Sequence, residues 1–203
     1  MKLLQWAFAN LGQVLILSVL IVMLCEKLFK PVPVRWGVSA VLLALCLFLP
    51  LHGLSLAQWL RSVIGDSSIL TLLVLSNILL QRLFSRQLLQ PATRQFLLMG
   101  IVVTGVILYP LALGWGSVDP YQWGYTAQWM GLLLILISLV LWLRGMHDLA
   151  VVLLLPLLAF NMQLLESHNL WDYFLDPVLL IYALLQSISF GKLFAALRVK
   201  VIG

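Results

Sequence analysis

The chain has 203 residues, of which 63% are hydrophobic and only 9% charged, and its mean hydropathy is +1.09. That composition excludes a soluble globular domain and points to an integral membrane protein. The net charge of +5 is read as membrane topology, with phospholipid head groups of the lipid bilayer as counter-charge. Nucleic acid is excluded as a partner because no basic face carries groove-reading or stacking elements.

Seven stretches contain no Asp, Glu, Lys or Arg: residues 6–24, 36–51, 69–80, 96–113, 130–143, 149–165 and 177–190. A helical crossing takes roughly 20 apolar residues, so each is a spanning candidate. Helix is the expected form, because open strand edges cannot face lipid. The third and fifth stretches are short and need their neutral flanks or a thin local bilayer. The first, which contains Asn10 and Gln13, is read as a retained anchor, with a cleaved signal sequence as the alternative. Cys25 and Cys46 fall near or inside apolar stretches and are expected to be small buried hydrophobes rather than a disulfide.

Basic residues set the orientation, since Lys and Arg are retained in short cytoplasmic loops. With the amino terminus outside, the inner side receives Lys27, Lys30, Arg35, Arg82, Arg86, Arg94, Arg144, Lys192, Arg198 and Lys200, leaving Lys2 and Arg61 outside. The expected fold is therefore an all-α bundle of about seven transmembrane helices forming one polytopic domain over residues 1–203, carboxy terminus cytoplasmic. Between the second and third spans, Leu56, Trp59, Leu60, Val63 and Ile64 recur at i, i+3, i+4, i+7 and i+8. This spacing predicts a short interfacial helix near 55–65, with Gln58 and Arg61 off its apolar face. Pro50, Pro110 and Pro156 are candidate kinks.

The same threading puts Trp6, Trp59, Trp115, Trp123, Trp129 and Trp171 near the outer interface. An aromatic belt accounts for them; a sugar- or lipid-stacking platform is the alternative. Five acids, Asp66, Asp119, Glu166, Asp172 and Asp176, share that side. Asp66 and Asp176, and Asp148 on the inner side, are expected to cap helix starts, and the Asp119-Pro120 pair has the same form. Glu26 is placed to pair with Lys30. Glu166, His168 and Asp172 remain after that filter and, with Asp119, form the candidate outer-face site for a cation, a polar head group or a partner's basic side chain. Neither an HExxH pattern nor paired cysteines occur, so neither metal nor cofactor is expected.

No catalytic motif is recognisable, and no Asp, Glu, Lys, Arg or His lies in the inner part of any span, as a proton relay would need. Neutral polar groups there include Gln13, Asn77, Thr104, Ser138, Asn161, Gln163, Gln186 and Ser187. Three functions are expected in order: a non-catalytic subunit or assembly partner of an inner-membrane complex; an enzyme or binder for a lipid-linked or head-group substrate at the outer face; and a facilitator or scramblase for a neutral or amphiphilic solute. The partners are accordingly other integral membrane subunits and a bound lipid.

Overall fold

The computed structural model describes residues 2–30 and 32–188. Lys192, Arg198, Lys200 and the end of the seventh stretch lie outside the described residues, as does the side chain of Trp6. Within them the regular structure is helical, with no strand beyond an isolated bridge between Leu51 and Leu54.

Helices α1 (Lys2–Leu28) and α2 (Val32–Phe48) are followed by the short α3 (Leu56–Ile64). Then come α4 (Ile69–Phe84), α5 (Pro91–Ala112), the 3₁₀ turn η1 (Pro120–Gly124), α6 (Ala127–Leu143), α7 (His147–Asn161) and the one-turn α8 (Leu170–Phe174). A further helix, α9, is described over Pro177–Ile188. The seven apolar stretches fall on α1, α2, α4, α5, α6, α7 and α9. Among the described residues, only Asn10–Leu28 and Pro91–Ala112 are both long and apolar enough to cross a membrane. The other five have 10–17 residues, and 16 residues rise only about 24 Å against a hydrocarbon core of about 30 Å. Among the described residues, helix length alone therefore supports two crossings rather than the seven expected.

Burial explains the assembly. Leu70 and Val74 of α4 pack with Leu97 and Ile101 of α5, Leu149 and Val152 of α7, Leu170 and Phe174 of α8, and Leu179 and Ala183 of α9. Helix α1 bridges two faces. Its Leu17, Ile21 and Cys25 meet α2 and α3, while Ile16 and Val19 meet Leu75 of α4 and Val178 of α9. Cys25 is buried, Cys46 half-buried, and both are free thiols. Close approach is built in by Gly105, where a Cβ would run into the Leu180 side chain.

Several polar side chains do other work than their spacing suggests. Glu26 pairs with Arg82 rather than Lys30. Asn77 accepts from the amides of Leu88 at 2.8 Å and Leu89 at 2.9 Å, holding the α4–α5 connection closed. Pro50 lies beyond the end of α2, whereas Pro110 and Pro156 do lie inside helices. Helix α4 is capped by Ser68, which accepts from the Thr71 amide; Asp66 is not its cap. Asp148 sits in the first turn of α7, whose cap position is Met146 and has no side-chain cap. Asp148 thus complements the helix dipole without capping.

The bundle has two chemically different ends. Helix α3, η1, α8 and the starts of α4 and α9 meet at one, with Asp66, Asp119, Glu166, Asp172 and Asp176. The Glu26–Arg82 pair and Arg94 stand at the other.

Candidate functional site

The acidic end is assembled from turns that lock one another. Asn169 caps α8, accepting from the Trp171 amide at 2.9 Å, and donates from Nδ2 to the Tyr121 carbonyl at 3.0 Å. Trp171 Nε1 donates to the Pro120 carbonyl at 3.0 Å. Gly124 lies against this pair so closely that any Cβ would collide with Asn169 Oδ1. Asp119 caps η1 by accepting from the Tyr121 amide at 3.0 Å. These bonds aim the Tyr121 hydroxyl at both oxygens of Asp172, at 2.9 and 3.0 Å, where Ser167 Oγ also donates.

Asp176 joins two helix starts. Its Oδ1 accepts from the Leu179 amide at 2.8 Å, the cap expected from the Asp-Pro sequence. Its Oδ2 accepts from the Ser68 amide at 2.7 Å and from the Thr71 hydroxyl. Asp176 is only 5% exposed, and a carboxylate at that depth is tolerated because donors surround it.

The rim is organised by Arg61 of α3. Its Nε donates to Asp66 Oδ1 at 3.0 Å and its Nη2 to Glu166 Oε1 at 2.8 Å. The Arg61 pKa is raised: burial lowers it, and the two carboxylates outweigh that effect. The Tyr121 hydroxyl is pushed well above the usual phenol range by burial, then by its bond to Asp172 and that carboxylate's charge. Tyr173, whose hydroxyl bonds to the Leu165 backbone, is raised by burial as well. Both phenols therefore remain neutral donors.

A pocket of about 510 Å³ opens at this end, lined by Asp66, Asp172, Asp176, Tyr109, Tyr121 and Ser167. Trp171 and Leu175 form part of its wall and also part of a second, apolar cavity of about 720 Å³. That groove runs between α5 and α6 over Leu70, with Phe96, Ile101, Trp129 and Met130 along its sides. The volumes lie in the usual range for small-molecule sites. The arrangement offers carboxylate acceptors beside an apolar trough. Its hydroxyls, those of Ser167 and Tyr121, are both turned onto Asp172.

Of the four expected site residues only Asp172 lines the pocket. Glu166 stands at the rim with its side chain 72% exposed, His168 is exposed and outside the cluster, and Asp119 is spent on η1. Asp66, Asp176, Tyr109, Tyr121 and Ser167 are the members that spacing missed. Tyr121 is the one with a signal, since it follows Asp119-Pro120 at a turn bound to be ordered. Trp59, Trp115, Trp123 and Trp129 are exposed as interface anchors would be, whereas Trp171 is a half-buried part of the pocket wall. Among the described residues no three His, Cys, Asp or Glu side chains converge as a metal site. Compared with known protein families, curated proteins and solved structures, the chain matches none.

Proposed function

We propose that this chain is a multi-pass inner-membrane protein, amino terminus outside, that binds an amphiphile at its outer end without chemically altering it. The head group sits among Asp66, Asp172 and Asp176, and the chain lies in the groove between α5 and α6. The observation that carries this reading is the continuity of the acidic pocket with the apolar groove through Trp171 and Leu175. Ionised carboxylates only accept hydrogen bonds, so the head group they suit carries hydroxyl or ammonium donors. Binding without catalysis fits the engagement of every pocket carboxylate by protein donors.

Membrane placement is supported by the outward apolar surface, with Leu132, Leu133, Leu136 and Val140 of α6 exposed. Short helices cross where a bilayer thins or interfacial residues reach further. The segregation of acids from basic residues supports the orientation.

The test is native mass spectrometry of the full chain purified in mild detergent, wild type against Asp172→Asn. The reading expects a co-purifying amphiphile whose occupancy falls in the variant while the melting temperature stays close to wild type. A wild-type protein that carries no amphiphile, or a variant that keeps it fully, rejects the reading.

A second reading, a non-catalytic subunit of a larger complex, is favoured by α6. That helix buries only Gly131 and Ser138, and the Ser138 hydroxyl is enclosed without a hydrogen-bond partner among the described residues. A neighbouring subunit on this face would give co-purification at fixed stoichiometry. The solute-facilitator expectation draws no support from Asn77 or Gln186, which are engaged by the backbone and by Arg94.

A further inference from the structure

We propose that a second groove, at the basic end between α1, α4 and α9, holds an anionic phospholipid with its phosphate on Arg94. A cavity of about 440 Å³ lies there. Its walls are apolar along most of their length, with Ile16, Val19, Leu75 and Val178, and turn polar where Arg94, Tyr182 and Gln186 meet. Thr71 and Arg82 both line it, and their separation along α4 is about 16 Å at a helical rise of 1.5 Å per residue, enough for much of an acyl chain.

The head-group assignment comes from an uncompensated charge. Arg94 Nη2 donates to the Tyr182 hydroxyl at 2.9 Å and to Gln186 Oε1 at 3.4 Å, and both partners are neutral. Its Nε and Nη1 donate to nothing among the described residues. Arg82, on the same cavity wall, already has Glu26 as counter-charge. Residues 189–203, which follow α9, contain Lys192, Arg198 and Lys200 and no Asp or Glu. A half-buried guanidinium with free donors selects a forked anion such as a phosphate diester, and a basic end in the cytoplasmic leaflet faces anionic lipid. The apolar length of the groove favours the lipid over a free anion.

This inference shares the membrane placement proposed above but not the ligand of the acidic pocket, which lies at the opposite end and has the opposite charge. The test titrates detergent-purified full chain with phosphatidylglycerol and, separately, phosphatidylcholine, and reads occupancy by native mass spectrometry. Phosphatidylglycerol should bind more tightly, and Arg94→Gln should weaken it about fivefold or more. Arg144→Gln, which removes a charge from the α6–α7 turn away from the cavity, should leave binding as it was. Tyr182→Phe removes the hydroxyl that orients Arg94 and should give a smaller loss at an unchanged melting temperature. That variant decides the matter if Arg94→Gln fails to fold. Millimolar inorganic phosphate should not displace the lipid.

Equal binding of the two lipids, equal loss in Arg94→Gln and Arg144→Gln, an unaffected Tyr182→Phe, or displacement by phosphate would each overturn the proposal. The Asp172→Asn readout is scored on a different ligand, so either reading can fail alone.

Discussion

Asp176 carries more structural weight than any other carboxylate in the chain. It accepts from two backbone amides and one hydroxyl, ties the start of α9 to the start of α4, and is shielded from solvent. Hydrogen bonds to charged groups contribute roughly 1.5–3 kcal/mol each, and loss of the acceptor also leaves buried donors unpaired. Asp176→Ala should therefore destabilise the fold by about 3 kcal/mol or more by the same measure, seen as a large drop in melting temperature of the purified protein. Glu166 makes the contrast. Its ion pair with Arg61 is exposed, and pairs of that kind are worth about 0–1 kcal/mol, so Glu166→Gln should leave the melting temperature nearly unchanged. If both variants melted alike, the assignment of Asp176 as the tie between helices would fail. Tyr121 adds a pH dependence. Its folded pKa lies above the ordinary value of 10.0, so the folded state holds the phenolic proton more tightly than the unfolded chain. The resulting stability is complete below pH 10 and is lost as pH rises toward the folded value. Alkaline melting curves should show this loss, and Tyr121→Phe should lose less than wild type over the same interval.

At the scale of elements, η1 and α8 form one unit. Neither is long enough to persist alone, since isolated short helices are marginal in water. Asn169 joins them by capping α8 and reaching the Tyr121 carbonyl. Gly124 leaves the space this needs. Gly124→Ala should force the two apart and empty the pocket of its ligand, even though the residue touches no pocket carboxylate; bound amphiphile measured on the folded variant checks this. The helices themselves were legible in the sequence, because uncharged stretches bounded by charge coincide with α1, α2, α4, α5, α6, α7 and α9. The short helix α3 was legible from its five-residue apolar spacing, and its start agrees with a capping box at Ser55 and Gln58. The end of α4 was less so. It runs on to Phe84 and stops at Ser85 in the left-handed conformation, a position where Gly or Asn gives the usual signal. The candidate site was only partly legible. Asp66-Ser67-Ser68 offers three capping residues in a row, and spacing could not tell that Ser68 caps while Asp66 turns to Arg61. Nor could it tell that Asp172 meets a tyrosine 51 residues earlier, because that pairing depends on how η1 packs on α8.

The whole molecule is polarised along its length, with acids and an amphiphile-sized trough at one end and arginines with a second groove at the other. If it crosses the membrane as proposed, the two ends face different compartments. A Cys25→Ser/Cys46→Ser background carrying either His168→Cys or Gln87→Cys, both at exposed positions, tests this in intact cells. A membrane-impermeant maleimide should label position 168 from outside and reach position 87 only after the membrane is opened. Labelling of both from outside would overturn the orientation.

The central claim, that an amphiphile lies with its head in the acidic pocket and its chain between α5 and α6, is tested most directly by photo-crosslinking. An amine-bearing phospholipid with a diazirine in its acyl chain would be bound to the full-length protein, illuminated and mapped by peptide mass spectrometry. The account predicts adducts concentrated on Phe96, Trp129 and Met130 and lost in Asp172→Asn. Adducts spread evenly over the outward faces of α2, α5 and α6, and indifferent to Asp172, would contradict it.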